Sequence, residues 1–191
     1  MLNNFLASLP FMTETRADML ISAFWPMVKA GFAVSLPLAI ASFVIGMIIA
    51  VAVALVRIMP SVGIFQKCLL KLVEFYISVI RGTPLLGQLV IVFYGLPSVG
   101  IYIDPIPAAI IGFSLNVGAY ASETIRAAIL SVPKGQWEAG FSIGMTYMQT
   151  FRRIVAPQAF RVAVPPLSNE FIGLFKNTSL AAVVTVTELF R

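Results

Sequence analysis

The chain has 191 residues, 59% of them hydrophobic and 11% charged, with a mean hydropathy of +0.95 and a net charge of +5. A soluble domain is roughly 45–50% apolar and about 25% charged, so the excess apolar surface is expected to face lipid. No histidine and a single cysteine, Cys68, exclude His-based metal sites, Ser-His-Asp and Cys-His catalysis and an intrachain disulfide.

The positive balance reads as the Lys/Arg bias of cytoplasmic loops in a membrane protein. It does not read as nucleic-acid binding, because the basic residues form no surface-like cluster interleaved with aromatics. Residues 1–24 are expected to form an external N-terminal segment carrying Glu14, Arg16 and Asp18, with Phe24-Trp25 as an interfacial anchor. Between Lys29 and Arg57 lie 27 uncharged residues, about 40 Å of helix against a hydrocarbon core of about 30 Å. That predicts a first span, too long for a signal-peptide core, with Pro37 and Gly46 tolerated inside it. The 22 residues between Arg81 and Asp104 predict a second span, and the 18 between Asp104 and Glu123 a third that runs on past Glu123. A fourth stretch, Val162–Phe175, is interrupted by Pro165-Pro166 and Glu170; it predicts a broken helix continuing through Lys176 toward Val186. Arg57, Lys67, Lys71 and Arg81 mark one cytoplasmic loop, and Arg126, Lys134, Arg152, Arg153 and Arg161 another. The N-terminus is then outside, and so is the end of the chain after a fourth span.

The second cytoplasmic loop, about residues 127–157, is the longest feature outside the spans. Pro133 and Gly135 mark a turn, and Trp137, Phe141 and Ile143 follow near helical spacing. Glu138 is expected in the first turn, where the helix dipole favours it, and Gly144 as the residue that ends the helix. A second short helix is predicted from Tyr147 to Ala156, with Pro157 closing it or opening the next span. Such a helix can lie on the bilayer surface or dock into a groove of a soluble partner.

Here a resemblance separates the two. Glu138-Ala139-Gly140, then Gly144, Ile154 and Pro157, resembles the EAA loop of bacterial ABC-importer permeases: Glu-Ala-Ala, three residues, Gly, nine residues, Ile, any residue, Leu, Pro. Gly140 stands in place of the second Ala and Ala156 in place of Leu; Gly in a helix costs about 1 kcal/mol relative to Ala. Phe75 to Ser78, Arg81 to Leu85, Gln88, Asn116 to Ile129, Lys134 to Glu138, Asn169 to Ile172 and Lys176 to Leu180 are similar to the polar amino-acid branch, which usually has Asp where this chain has Asn177. With Tyr94 to Pro97 and Asp104 to Pro107, the sequence looks most like L-cystine uptake permeases.

The resemblance, over about residues 25–191, implies an all-α polytopic transmembrane helical bundle of the ABC-importer permease type, in the bacterial inner membrane. It implies a transporter subunit rather than an enzyme. The loop would form the coupling helices, Glu138, Ala139, Gly140 and Gly144 among them, that sit in a cleft of an ABC ATPase subunit. The chain has no Gly-x-x-x-x-Gly-Lys-Ser/Thr phosphate loop, so ATP is bound by that partner, in two copies. One coupling loop per chain calls for two permease chains, hence a homodimer. An extracytoplasmic solute-binding protein and membrane lipid complete the partners. These permeases usually have five spans and end in the cytoplasm. A chain ending at Arg191 is therefore expected to be truncated before the fifth. A membrane scaffold or sensor that recruits a soluble protein through the same loop is the alternative.

For substrate, Gly82, Thr83 and Pro84 break the second helix and free backbone groups for a zwitterion, or merely kink it. Asn116 and Glu123, seven apart, share a helix face. Asn116 contacts a substrate amino or carboxylate group, or bonds a neighbouring helix; Glu123 contacts substrate, or pairs with Arg126 one turn away, or sits at the cytoplasmic interface. Arg152 and Arg153 suit lipid headgroups, and Cys68 reads as apolar filler. Gly46-Ala50-Ala54 and Gly112 suit close helix contact.

Overall fold

A computed structural model of the chain describes Met19 and residues 22–26, 28–29, 31–58 and 63–186, with side chains to Ala181. Glu14, Arg16, Asp18 and the chain end from Thr187 lie outside the described residues. Two compact units are present, the first ending at Leu38 and the second beginning at Ala39. In the first, Phe24 and Trp25 are exposed, and the Lys29 ammonium lies over the Trp25 ring at 5.9 Å.

The described residues from Leu36 onward form helices joined by short non-helical stretches. The helices are α1 (Leu36–Ile58), α2 (Ile64–Gly82), α3 (Leu85–Ser98), α4 (Pro105–Leu130), α5 (Lys134–Ser142), α6 (Tyr147–Thr150) and α7 (Ala156–Val186). Among the described residues, the run Ser22–Ile58 is long and apolar enough to cross a bilayer, and α2 with α3 reaches that measure jointly.

Helix α4 holds the unit together. Its 26 residues carry a small-residue surface in which Ala108, Ala109, Ala119, Ala121 and Ser122 are buried. Small side chains let α1 approach closely: a Cβ on Gly46 would stand 2.6 Å from Val117. The stretch Gly46-Ala50-Ala54 is buried, as its composition predicts. Ser114 Oγ donates to the Ser42 carbonyl at 3.2 Å, and Tyr76 Oη donates to the Leu115 carbonyl.

Three expectations are corrected. The basic segment between Arg57 and Arg81 is not an open loop: α2 fills most of it. Ile64, Phe65, Leu69, Leu72, Phe75 and Val79 leave an exposed apolar stripe along α2, so the segment is amphipathic rather than simply polar. Cys68 lies exposed on this stripe, not in a packed interior. Second, Pro165-Pro166 does not break the fourth helix. α7 runs 31 residues through both prolines. Proline removes one backbone donor and crowds the preceding turn, but a long helix packed on α4 carries on through the defect. Third, the helix from Tyr147 does not stop at Ala156. A π-type turn, Phe151–Val155, joins α6 to α7, so Pro157 stands near the start of α7.

Candidate functional site

The first functional region is the break between α2 and α3. The residue before a proline is pushed out of helical geometry, and Thr83 is extended at φ −119°, ψ 145°. The two helices meet there at a bend of 110°. A helix C-terminus leaves carbonyls without partners. Here Thr83 Oγ1 donates to the Val79 carbonyl at 2.8 Å, and a buried glutamine supplies further donors. Gln88 Nε2 donates to the Ile80 carbonyl at 2.6 Å, to Thr83 Oγ1 at 3.0 Å and to the Thr83 carbonyl at 3.1 Å. Two hydrogens are shared among three acceptors. Its Oε1 accepts from Asn116 Nδ2 at 3.0 Å. Thr83 in the break and Asn116 on α4 are therefore joined through one side chain.

Glu123 lies in a second cluster. Its Oε1 meets Arg57 Nη1 at 2.5 Å and Arg81 Nη1 at 3.6 Å, and its Oε2 meets Arg126 Nε at 3.2 Å. The pairing with Arg126 is present, and two further guanidinium groups arrive from α1 and α2. The Arg81 guanidinium also lies 5.4 Å from the Tyr120 ring centre. Gln88, Arg57 and Arg81 carry these contacts without having been singled out as site residues. Gln88 stands within the Arg81–Gln88 motif, so its place beside the break was readable. Arg57 is 66 residues from Glu123, and no local pattern announces that contact.

The third region is α5 and its exit. The helix starts at Lys134, directly after Pro133. Glu138 is therefore its fifth residue, not part of a first turn, because Pro133 with its fixed φ starts the helix early. Gly144 does end it. Its φ is +80°, its N–H donates to the Phe141 carbonyl at 3.0 Å, and the Met145 N–H reaches the Gly140 carbonyl at 3.0 Å. These two bonds form a Schellman cap. Gly140 is required by contact: a Cβ there would stand 2.5 Å from Thr150 Cγ2. Trp137 stacks on Tyr147 at 5.0 Å and on Phe151 at 6.2 Å, and packs against the cluster of Ala128, Ile129, Val132, Val155, Ala159 and Ala163. Thr146 caps α6, with Gln149 reaching back to its N–H. So anchored, α5 leaves Glu138 and Ala139 exposed beside Phe141 and Ile143, which are 47% and 71% exposed.

Residues 61–191 match the profile of a family described as binding-protein-dependent transport system inner membrane component. The chain is 54% identical to the L-cystine transport system permease protein TcyB of Bacillus subtilis (strain 168), covering 98% of this chain and 79% of that protein. It is 36% identical to the arginine transport system permease protein ArtQ of the same organism, over 87% and 74%. Among solved structures it is similar to an amino acid ABC transporter crystallised with histidines: TM-score 0.77, 35% identity, over 89% of this chain and 76% of that one. The fold is also shared with the inward-facing MetNI methionine ABC transporter, at TM-score 0.68, 23% identity, over 85% and 76%.

Proposed function

The chain belongs to the binding-protein-dependent transport system inner membrane components, and from that premise we propose that it is the permease subunit of an ATP-binding-cassette importer whose substrate is L-cystine. A permease of this family works with an ATPase and a substrate-binding protein. The observation that carries the substrate is the 54% identity to an L-cystine permease over 98% of the chain. Residues 25–191 act as the permease domain and residues 1–24 as an external segment, with the N-terminus outside. Two permease chains form a homodimer and engage two ATPase copies.

The loop about 127–157 couples to the ATPase through Glu138, Ala139, Gly140 and Gly144. What supports this is a short helix with a rigid base, its Trp137 stack, and an exposed tip with apolar side chains. Substrate binds at Gly82, Thr83, Pro84 and Asn116, with Glu123 closing the site. In support, the break concentrates polar atoms between helices, the arrangement that importers use to receive a zwitterion. Glu123 serves there by positioning Arg81, since its two oxygens are already held by Arg57 and Arg126.

Uptake of labelled L-cystine, in competition with arginine, glutamine and glutamate, tests the substrate in cells with and without the gene. Saturable, ATP-dependent L-cystine uptake that only excess unlabelled L-cystine displaces is expected. Uptake unchanged by deletion in a strain lacking other cystine carriers would overturn the reading.

A further inference from the structure

We propose that Arg81 is the anchor for the substrate's α-carboxylate. This rests on the amino-acid importer reading above and names the group at that site that takes the acid end of the zwitterion.

Three guanidinium groups, Arg57, Arg81 and Arg126, share the Glu123 carboxylate. Three guanidinium charges exceed the one carboxylate they share, and a substrate carboxylate would offset part of that excess. Arg81 is the one held least closely by Glu123. Arg57 holds Glu123 Oε1 at 2.5 Å and Arg126 holds Oε2 at 3.2 Å, whereas Arg81 comes third at 3.6 Å. Its side chain is also the most exposed of the three, at 44% against 16% for Arg57 and 35% for Arg126.

The Tyr120 ring lies 5.4 Å from the Arg81 guanidinium. An aromatic neighbour steadies a guanidinium without consuming its N–H donors. Those donors form the planar fork that receives a carboxylate in two parallel hydrogen bonds. Arg81 also directly precedes Gly82-Thr83-Pro84, the break where Gln88, Thr83 and Asn116 gather their polar atoms. The Tyr120 that Arg81 faces stands about one helical turn from Asn116 of that network on α4.

The permease–ATPase complex, purified without the binding protein, provides the test. L-cystine is expected to raise the melting temperature of the wild-type complex, and cystamine, its decarboxylated analogue, to leave it unmoved. Arg81→Ala should weaken the apparent L-cystine affinity by about tenfold or more, and Arg81→Lys should recover part of it. Arg126→Ala disturbs the same Glu123 cluster but should keep the L-cystine shift, which separates a carboxylate anchor from a structural ion pair. An Arg81→Ala complex that keeps the wild-type response overturns the inference, as does an Arg126→Ala complex that loses it equally, or cystamine acting like L-cystine. If neither L-cystine nor arginine, glutamine or glutamate shifts the wild-type complex, the importer reading itself fails, and the inference fails with it.

Discussion

Gly140 illustrates how a residue preference is set by a neighbour. Judged alone, glycine in α5 costs about 1 kcal/mol of helix stability relative to alanine. Against Thr150 the sign reverses. The missing Cβ makes room for a β-branched side chain whose Cγ2 would otherwise stand at 2.5 Å. Thr150 is fully buried, and its Oγ1 finds no hydrogen-bond partner among the described residues. Gly140→Ala is therefore expected to destabilise the α5–α6 corner by about 1–2 kcal/mol, since overpacking outweighs the propensity gain. Pairing it with Thr150→Ala removes both γ atoms and should restore most of the loss. Thermal unfolding of the detergent-solubilised wild type, single and double variants measures this; additive losses in the double variant would show that the contact does not decide the position.

At the scale of elements, α5 is a short helix that does not stand by propensity. Nine residues are too few for independent stability in water. The Trp137 stack on Tyr147 and Phe151 fixes its base, and the Gly144 cap fixes its end. Replacing Gly144 by aspartate forces a side chain onto a positive-φ position, and Glu138→Lys reverses the charge on the exposed side. The double variant is expected to reach the membrane in near-normal amount yet to lose more than about nine-tenths of ATP-dependent uptake, since a displaced knob no longer fills its groove. Uptake set against ATPase activity of the assembled complex checks it: intact uptake would remove α5 from the coupling role. The α2–α3 break follows the same logic. Pro84 imposes the end of α2, but Gln88, four residues on, satisfies the carbonyls exposed by it.

For the whole molecule, Glu123 is the point at which α1, α2 and α4 are tied together. It neutralises part of a threefold positive cluster in which Arg57 is the most shielded from solvent and Arg81 the least. Glu123→Gln leaves Arg57, Arg81 and Arg126 to repel one another across three helices. A fully buried pair loses 3–5 kcal/mol when one partner is removed; with the Glu123 side chain 22% exposed, about 2–3 kcal/mol is expected. The variant should therefore melt several degrees lower, and added salt should narrow the difference by screening the guanidinium groups. Equal melting temperatures at low salt would show that the cluster does not hold the helices.

The sequence by itself determined the class of molecule. Apolar runs longer than a bilayer, nine of the 13 basic residues gathered in two segments and the Glu138-to-Pro157 spacing are all one-dimensional signals. The cap at Gly144 was equally legible, because a helix end depends on the few residues around it. The continuity of α7 through Pro165-Pro166 was not, because local rules say that proline breaks a helix while packing on α4 decides whether it does. Nor was the company Glu123 keeps. Arg126 is one turn away and could be read from spacing, but Arg57 and Arg81 come from separate helices, and only the packing of α1 and α2 on α4 brings their charges to one carboxylate. Gln88 likewise acquires its role from the 110° bend, which turns a polar residue in an apolar run into the partner of the α2 end and of Asn116 on α4.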